Sequence, residues 1–423
     1  MIRPPTSTCG TAISLYTGAG GLDLGLETAG FEFTLCVEVD DDARETITLN
    51  RPKWQLADPG DIHKLSAAKL LNQAGLKPRE LTLLAGGPPC QPFSKSAYWS
   101  NGDGLRLRDP RAQTLQAYID VVGATLPRVL LLENVKGLAY ASKDEGLHLL
   151  QAGLKAINRK HGTSYAPRVV TLNAADYGVP QIRERVFILA SIDGQEFQIP
   201  KPTHGEGPNR EPFLTAWDAI GELDVEVYPA ELVPRGRWAA LLPSIPEGHN
   251  YLWHTPRYSE NGGEPIFGWR TRFWSFLLKL AKSKPSWTIQ ASPGPATGPF
   301  HWRSRLLSVE EMCRLQTFPR GYKIVGAHRS APRQVGNAVP SALGELLGLE
   351  IRSQLLGERV RSNLSLLPAR RDDCPKPERM VGVPREYLLL RAAHQDHPGT
   401  GQGPAARRRE SSSKSGRRGT TMP

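Results

Sequence analysis

The sequence predicts an α/β protein, with a mostly parallel sheet covered by helices and a smaller irregular domain after it. Three observations lead there. From about Ala12 to Val186, short apolar runs alternate with amphipathic stretches, as strands joined by crossover helices do. The first run opens into a glycine-rich turn, and an acidic residue follows about twenty positions on, the spacing of a nucleoside pocket. From about Phe197 to Pro299 the alternation stops, and Pro, Gly and Trp become frequent.

The predicted strands are Ala12–Tyr16, Phe33–Val37, Leu81–Ala85, Val129–Leu132, Val169–Leu172 and Val186–Leu189, with a further short strand ending near Asp61. Helical patterns cover Asp41–Asn50, His63–Ala74, Arg111–Thr125 and Glu145–Asn158. Ligands of such sheets bind beyond the carboxyl ends of the strands, so the chemistry is sought there. At the first strand end lies Tyr16-Thr17-Gly18-Ala19-Gly20-Gly21, whose glycines let backbone amides approach a ligand. At the second stands Glu38, followed by Val39, an acid placed to accept from both hydroxyls of a ribose. Asp61-Ile62 adds a carboxylate suited to an adenine amino group. Taken singly each acid reads as a solvated loop residue; together they describe a nucleoside pocket.

The fourth predicted strand end is the most distinctive. Gly86-Gly87-Pro88-Pro89-Cys90-Gln91-Pro92-Phe93-Ser94 frees the backbone, stiffens it and presents one thiol. The next strand ends in Glu133-Asn134-Val135, facing the same crevice. Further on, alternation in Gln181-Ile182-Arg183-Glu184-Arg185 puts both arginines on one face of a strand. Ser308 and Glu311 read as a capping box opening a helix, with Cys313 on its apolar side.

The chain has 423 residues, 39% of them hydrophobic, and a formal charge of +11. That length suggests two or three domains, and the basic excess suits a polyanion. No apolar run approaches the ~20 residues of a membrane helix, and Met1-Ile2-Arg3-Pro4-Pro5 has no apolar leader segment. The five cysteines are scattered and odd in number, which argues against a disulfide framework or a metal site and for a reducing cytoplasm.

The nonapeptide around Cys90 resembles the catalytic loop of the carbon-5 cytosine DNA methyltransferases. Glu133-Asn134-Val135, Gln181 to Arg185, Arg314 to Pro319 and Gln334 to Pro340 match further motifs of that family, and the likeness runs from about Ala12 to Leu356. One departure is Ser14-Leu15-Tyr16, where the family usually has Asp-Leu-Phe.

The resemblance implies a Rossmann-like domain that uses S-adenosylmethionine, with residues 1–195 completed by 325–357. It implies a target-recognition domain over 196–324. Beyond about Gly357 the likeness ends, and composition predicts an extension over 358–423 that is a disordered basic tail from about residue 400, rich in Arg, Ser and Gly. Cofactor contacts are expected at Tyr16, Gly18, Gly20, Gly21, Glu38, Val39, Asp61, Ile62, Pro89 and Asn337. The expected catalytic residues are Cys90 as nucleophile, Glu133 at ring nitrogen-3, Arg185 at the cytosine carbonyl oxygen and Arg183 in support. The expected partners are double-stranded DNA and a cognate restriction endonuclease, and the expected state is a monomer in bacterial cytoplasm. Two alternatives stand beside this reading: methylation of transfer RNA, and a non-catalytic DNA-binding regulator on the same fold. The first lacks its usual Cys-Phe-Thr signature here, and the second predicts damage to Cys90, Glu133 or Arg185, which are all present.

Overall fold

A computed structural model describes residues 10–88, 113–134, 145–267, 274–327, 329–361 and 363–390. Pro89, Cys90 and the proposed tail from about residue 400 lie outside these residues.

Six strands form the main sheet: β1 (Gly10–Leu15), β2 (Phe31–Val37), β3 (Leu83–Gly86), β4 (Val129–Asn134), β5 (Arg168–Asn173) and β7 (Glu184–Ser191). Their order is β2-β1-β3-β4-β7-β5. The first four run parallel, and β7 runs antiparallel to both β4 and β5. The apolar runs are continuous because both faces of the sheet are covered. Along β3 and β4, Leu83, Ala85, Val129 and Leu131 enter one core, while Leu84, Leu130 and Leu132 enter the other.

Helices α1 (Gly21–Thr28), α2 (Asp41–Asn50), α3 (Ala67–Ala74), α4 (Gln113–Thr125) and α5 (Glu145–His161) supply the cover. α2 occupies the residues expected of it. The helix expected over His63–Ala74 is split. A 3-10 turn spans Ile62–Lys64, and α3 starts afresh behind Ser66, whose hydroxyl accepts from Lys69 N at 3.2 Å. The short strand expected before Asp61 is reduced to one bridge between Cys36 and Leu56, and Asp61 caps the 3-10 turn instead.

After β7 the backbone becomes irregular. α6 (Ala216–Ile220) and 3-10 turns at Ala239–Ser244, Tyr251–His254 and Pro256–Asn261 precede α7 (Val309–Leu315). The Ser308–Glu311 capping box is present, and Cys313 is a buried core thiol pushed up to about 12 by desolvation. Trp217, Leu280, Ile289, Trp302 and Met312 join the same core as the sheet, whereas Leu241, Tyr251, Phe267, Leu277 and Phe300 form an aromatic core of their own. The chain then returns through α8 (Ser330–Asn337) and α9 (Ser341–Gln354), and α9 packs along α1. The Gln334–Pro340 motif ends α8 and breaks at Ala338 before α9.

No helix among the described residues is long and apolar enough to cross a membrane.

Candidate active site

β1 runs into Tyr16, whose backbone is left-handed (φ 60°), and the turn continues through Gly18 (φ 55°). A side chain at Gly18 would meet open space, so glycine is wanted here for its conformation and for an uncovered amide surface. Gly21 differs: a β-carbon there would run into the Val339 carbonyl, the chain entering α9. Tyr322 donates from its hydroxyl to Ala19 O at 2.8 Å, so the C-terminal return closes one side of the glycine turn.

Glu38 organises the other side. Gly18 N donates to its Oε2 at 2.7 Å, and Val39 N and Asp40 N donate to its Oε1 at 2.8 Å each. The carboxylate that the sequence offered to a ribose therefore also ties two strand ends together. Val39 is 67% exposed beside it, and Ile62 is buried. Asp61 accepts from His63 N at 3.0 Å and lies 3.5 Å from Lys64 Nζ. The Tyr16 hydroxyl donates to Thr114 O at 2.6 Å, and burial raises its pKa.

Asp23, which sequence reading passed over, is 2% exposed in the first turn of α1. Its Oδ1 finds no hydrogen-bond donor among the described residues. Burial pushes its carboxyl up to about 7, partly offset by a hydrogen bond from Ser14.

β3 and β4 lie side by side, so their carboxyl ends open on one crevice. A β-carbon on Gly87 would sit 3.3 Å from Glu133 Oε2, and Asn134 Nδ2 donates to Pro88 O at 3.4 Å. The loop that carries Cys90 thus departs from the edge of the Glu133 carboxyl.

Arg185 Nε lies 3.0 Å from Glu133 Oε1, with the two side chains 12% and 13% exposed. The contact is an ion pair rather than an aligned hydrogen bond, because the N–H is not aimed at the oxygen. Burial raises the Glu133 pKa, while Arg185 and then Arg183 pull it down, and burial prevails.

The two arginines have separate surroundings. Arg183 is fully buried in the break between β6 (Gln181–Ile182) and β7. Its guanidinium donates to Ile289 O at 3.1 Å, Gly336 O at 2.7 Å and Ala338 O at 2.8 Å. It braces the bend that carries exposed Asn337, with help from Gln316, whose Nε2 donates to Val335 O at 2.6 Å. Backbone carbonyls accept from Arg183, so its buried guanidinium needs no anion shared with Arg185. No residue spacing announced the Gln316 brace; an amide within a matched motif was its only signal.

Compared with known proteins, residues 10–353 match the family model for C-5 cytosine-specific DNA methylase. The chain belongs to this family. Among its relatives, the Type II methyltransferase M.SacI of Streptomyces achromogenes is 38% identical over 373 residues, covering 81% of this chain and 93% of that protein. M.NgoFVII of Neisseria gonorrhoeae is 31% identical over 334 residues, covering 78% and 82%. Among solved structures, DNMT2 of Spodoptera frugiperda superposes with a TM-score of 0.56 at 16% identity, covering 81% of this chain and 99% of that one, a likeness of fold.

As a C-5 cytosine DNA methyltransferase, the protein gathers Gly18, Glu38, Val39, Asn337, Gly87, Glu133 and Arg185 at one end of its sheet. Arg183 stands behind this group. Asp61 stands at the start of a turn rather than at a strand end. The set fits an adenosyl ligand on three counts: open space at Gly18, an acid at the end of β2, and exposed apolar surface at Val39.

Proposed function

We propose that this DNA cytosine methyltransferase uses S-adenosylmethionine, acts on a cytosine flipped out of duplex DNA, and forms a transient bond from Cys90 to ring carbon-6. The nearness of the Glu133 carboxyl to the backbone at Gly87, with Arg185 paired to the same carboxyl, carries this reading. It brings the root of the cysteine loop, an acid and a guanidinium together.

S-adenosylmethionine, when bound, supplies an electrophilic methyl group. Tyr16, Gly18, Gly20, Gly21, Glu38, Val39, Asp61, Ile62, Pro89 and Asn337 are the residues proposed to hold it. Carbon-5 of cytosine is a weak nucleophile buried in the base stack, so the base must leave the stack and be activated. Cys90 thiolate adds at carbon-6 and makes carbon-5 electron-rich. Glu133, whose pKa burial raises, donates to ring nitrogen-3 once it has taken up a proton, as negative charge grows on the ring. Arg185 holds the carbonyl oxygen where that charge spreads. Arg183 acts as a positioning residue through Asn337. After methyl transfer a base removes the carbon-5 proton and the thiolate leaves.

The protein is proposed to work as a monomer in bacterial cytoplasm, beside a restriction endonuclease of the same site. Residues 196–324 are proposed to read that site.

Trapping on a duplex containing 5-fluorocytosine tests the chemistry. Wild-type protein is expected to give a denaturation-resistant adduct, and Cys90→Ser none. Wild-type methylation of DNA without trapping would overturn the covalent step. Base-resolution mapping of methylated DNA identifies the target.

A further inference from the structure

The family match ends at residue 353, yet residues 363–390 are tied down near both of their own ends. On the sheet side, Glu345 of α9 is 3% exposed and accepts from Ser365 N at 2.8 Å, Ser365 Oγ at 2.7 Å and Leu366 N at 3.0 Å. Midway, Arg371 N donates to Asp218 Oδ1 at 2.7 Å, and Trp217 Nε1 donates to Asp373 Oδ1 at 3.0 Å. Farther on, Lys282 Nζ, buried, sits between Glu247 Oε1 at 2.7 Å and Glu378 Oε1 at 2.8 Å. At the far end Tyr387 enters the aromatic core, stacked on Trp238 with ring centroids 5.8 Å apart, and donates to Arg237 O at 2.8 Å.

Apart from one short helix, Arg385–Leu388, this segment has no regular secondary structure among its described residues. Buried side chains of other elements hold it in place. Hydrogen bonds to buried charges are the stronger kind, and leaving one partner unpaired is costly. One tether therefore joins α9, the helix packed along α1 at the glycine turn, to the separate core of region 196–324.

We propose that residues 363–390 form a clasp that sets how the recognition region stands over the catalytic crevice, and so contributes to the choice of DNA sequence. The proposal rests on residues 196–324 being the part that reads DNA. Anchoring at both ends is the essential feature, because a segment that only completed the aromatic core would need no fastening to Glu345.

A short Gly-Ser insertion between Leu367 and Arg370 slackens the tether and leaves every anchoring side chain in place. Methylation of the mapped site and of single-mismatch sites is compared in full-length wild type and variant. The variant is expected to lose about tenfold in kcat/KM on the mapped site, mostly through KM for DNA. The ratio between sites should narrow, with affinity for S-adenosylmethionine unchanged. A KM and a ratio both within about twofold of wild type would overturn the clasp. Wild-type methylation that ignores sequence would instead overturn the reading of 196–324, and the clasp with it. If the insertion disturbs folding, Glu345→Gln loosens the sheet-side anchor alone. It must shift KM for DNA in the same direction, in protein whose circular dichroism matches wild type.

Discussion

The sheet and the region after β7 are stabilised by different means. In the sheet, β3 and β4 up to Leu132 are apolar, and neighbouring strands supply the backbone partners. In region 196–324 the backbone is mostly turns, and charges are buried along with the rings. Arg305 donates from both Nη atoms to the Glu311 carboxylate at 2.7 and 2.6 Å, with side chains 1% and 2% exposed. His301 lies beside them, its pKa lowered to about 2 by burial and by the neighbouring Arg305, Arg303 and Lys282, so it stays neutral. The difference teaches where each part gets its definition: one from apolar area, the other from a few partners that must all be present.

Breaking one partner should therefore have the largest effect. Glu311→Ala leaves Arg305 buried without its carboxylate and should cost about 3–5 kcal/mol in urea unfolding. Arg305→Met with Glu311→Leu should recover most of that loss, because an apolar pair of similar volume often replaces a buried ion pair at little cost. Failure to recover would mean that the ionic pair is a specific requirement of the region.

Leu131→Ala in the sheet should cost about 2–5 kcal/mol, with no second change nearby to rescue it, by the same measurement.

Asp23 offers a pH test within the sheet region. Its folded pKa of about 7 stands above the ordinary aspartate value of 3.8, so between those values the folded state holds a proton that the unfolded state has released. Its contribution to stability must then fall as pH rises from near 4 to near 7 and level off above. Asp23→Asn should abolish that part of the slope, read from urea midpoints at pH 5 and pH 8. An unchanged slope would show that Asp23 does not titrate there.

The smallest effect is expected at Ser308→Ala, which removes one helix cap and should cost about 1 kcal/mol. Its oxygen accepts from Glu311 N at 3.1 Å, the residue that also holds Arg305, so the measured loss should exceed that figure if the two contacts cooperate.

Much of the site could be read from residue order. Glycines after β1, Glu38 after β2 and Glu133 in the last residues of β4 sit at strand ends because alternating runs dictate a parallel sheet, and its geometry puts those ends together. Capping at Ser308 was legible for the same local reason. The parting of Arg183 from Arg185 was not, since it depends on carbonyls more than a hundred residues away, at Ile289, Gly336 and Ala338.

By itself, then, the order of residues determined the sheet, the turn chemistry and the family, all properties of short windows and of motifs. Tertiary structure alone decided that Arg183 is a brace, that Asp23 is a buried acid, and that residues 363–390 run from α9 to the aromatic core within residues 196–324. Those outcomes come from burial and from partners distant in the chain, and no local pattern encodes either.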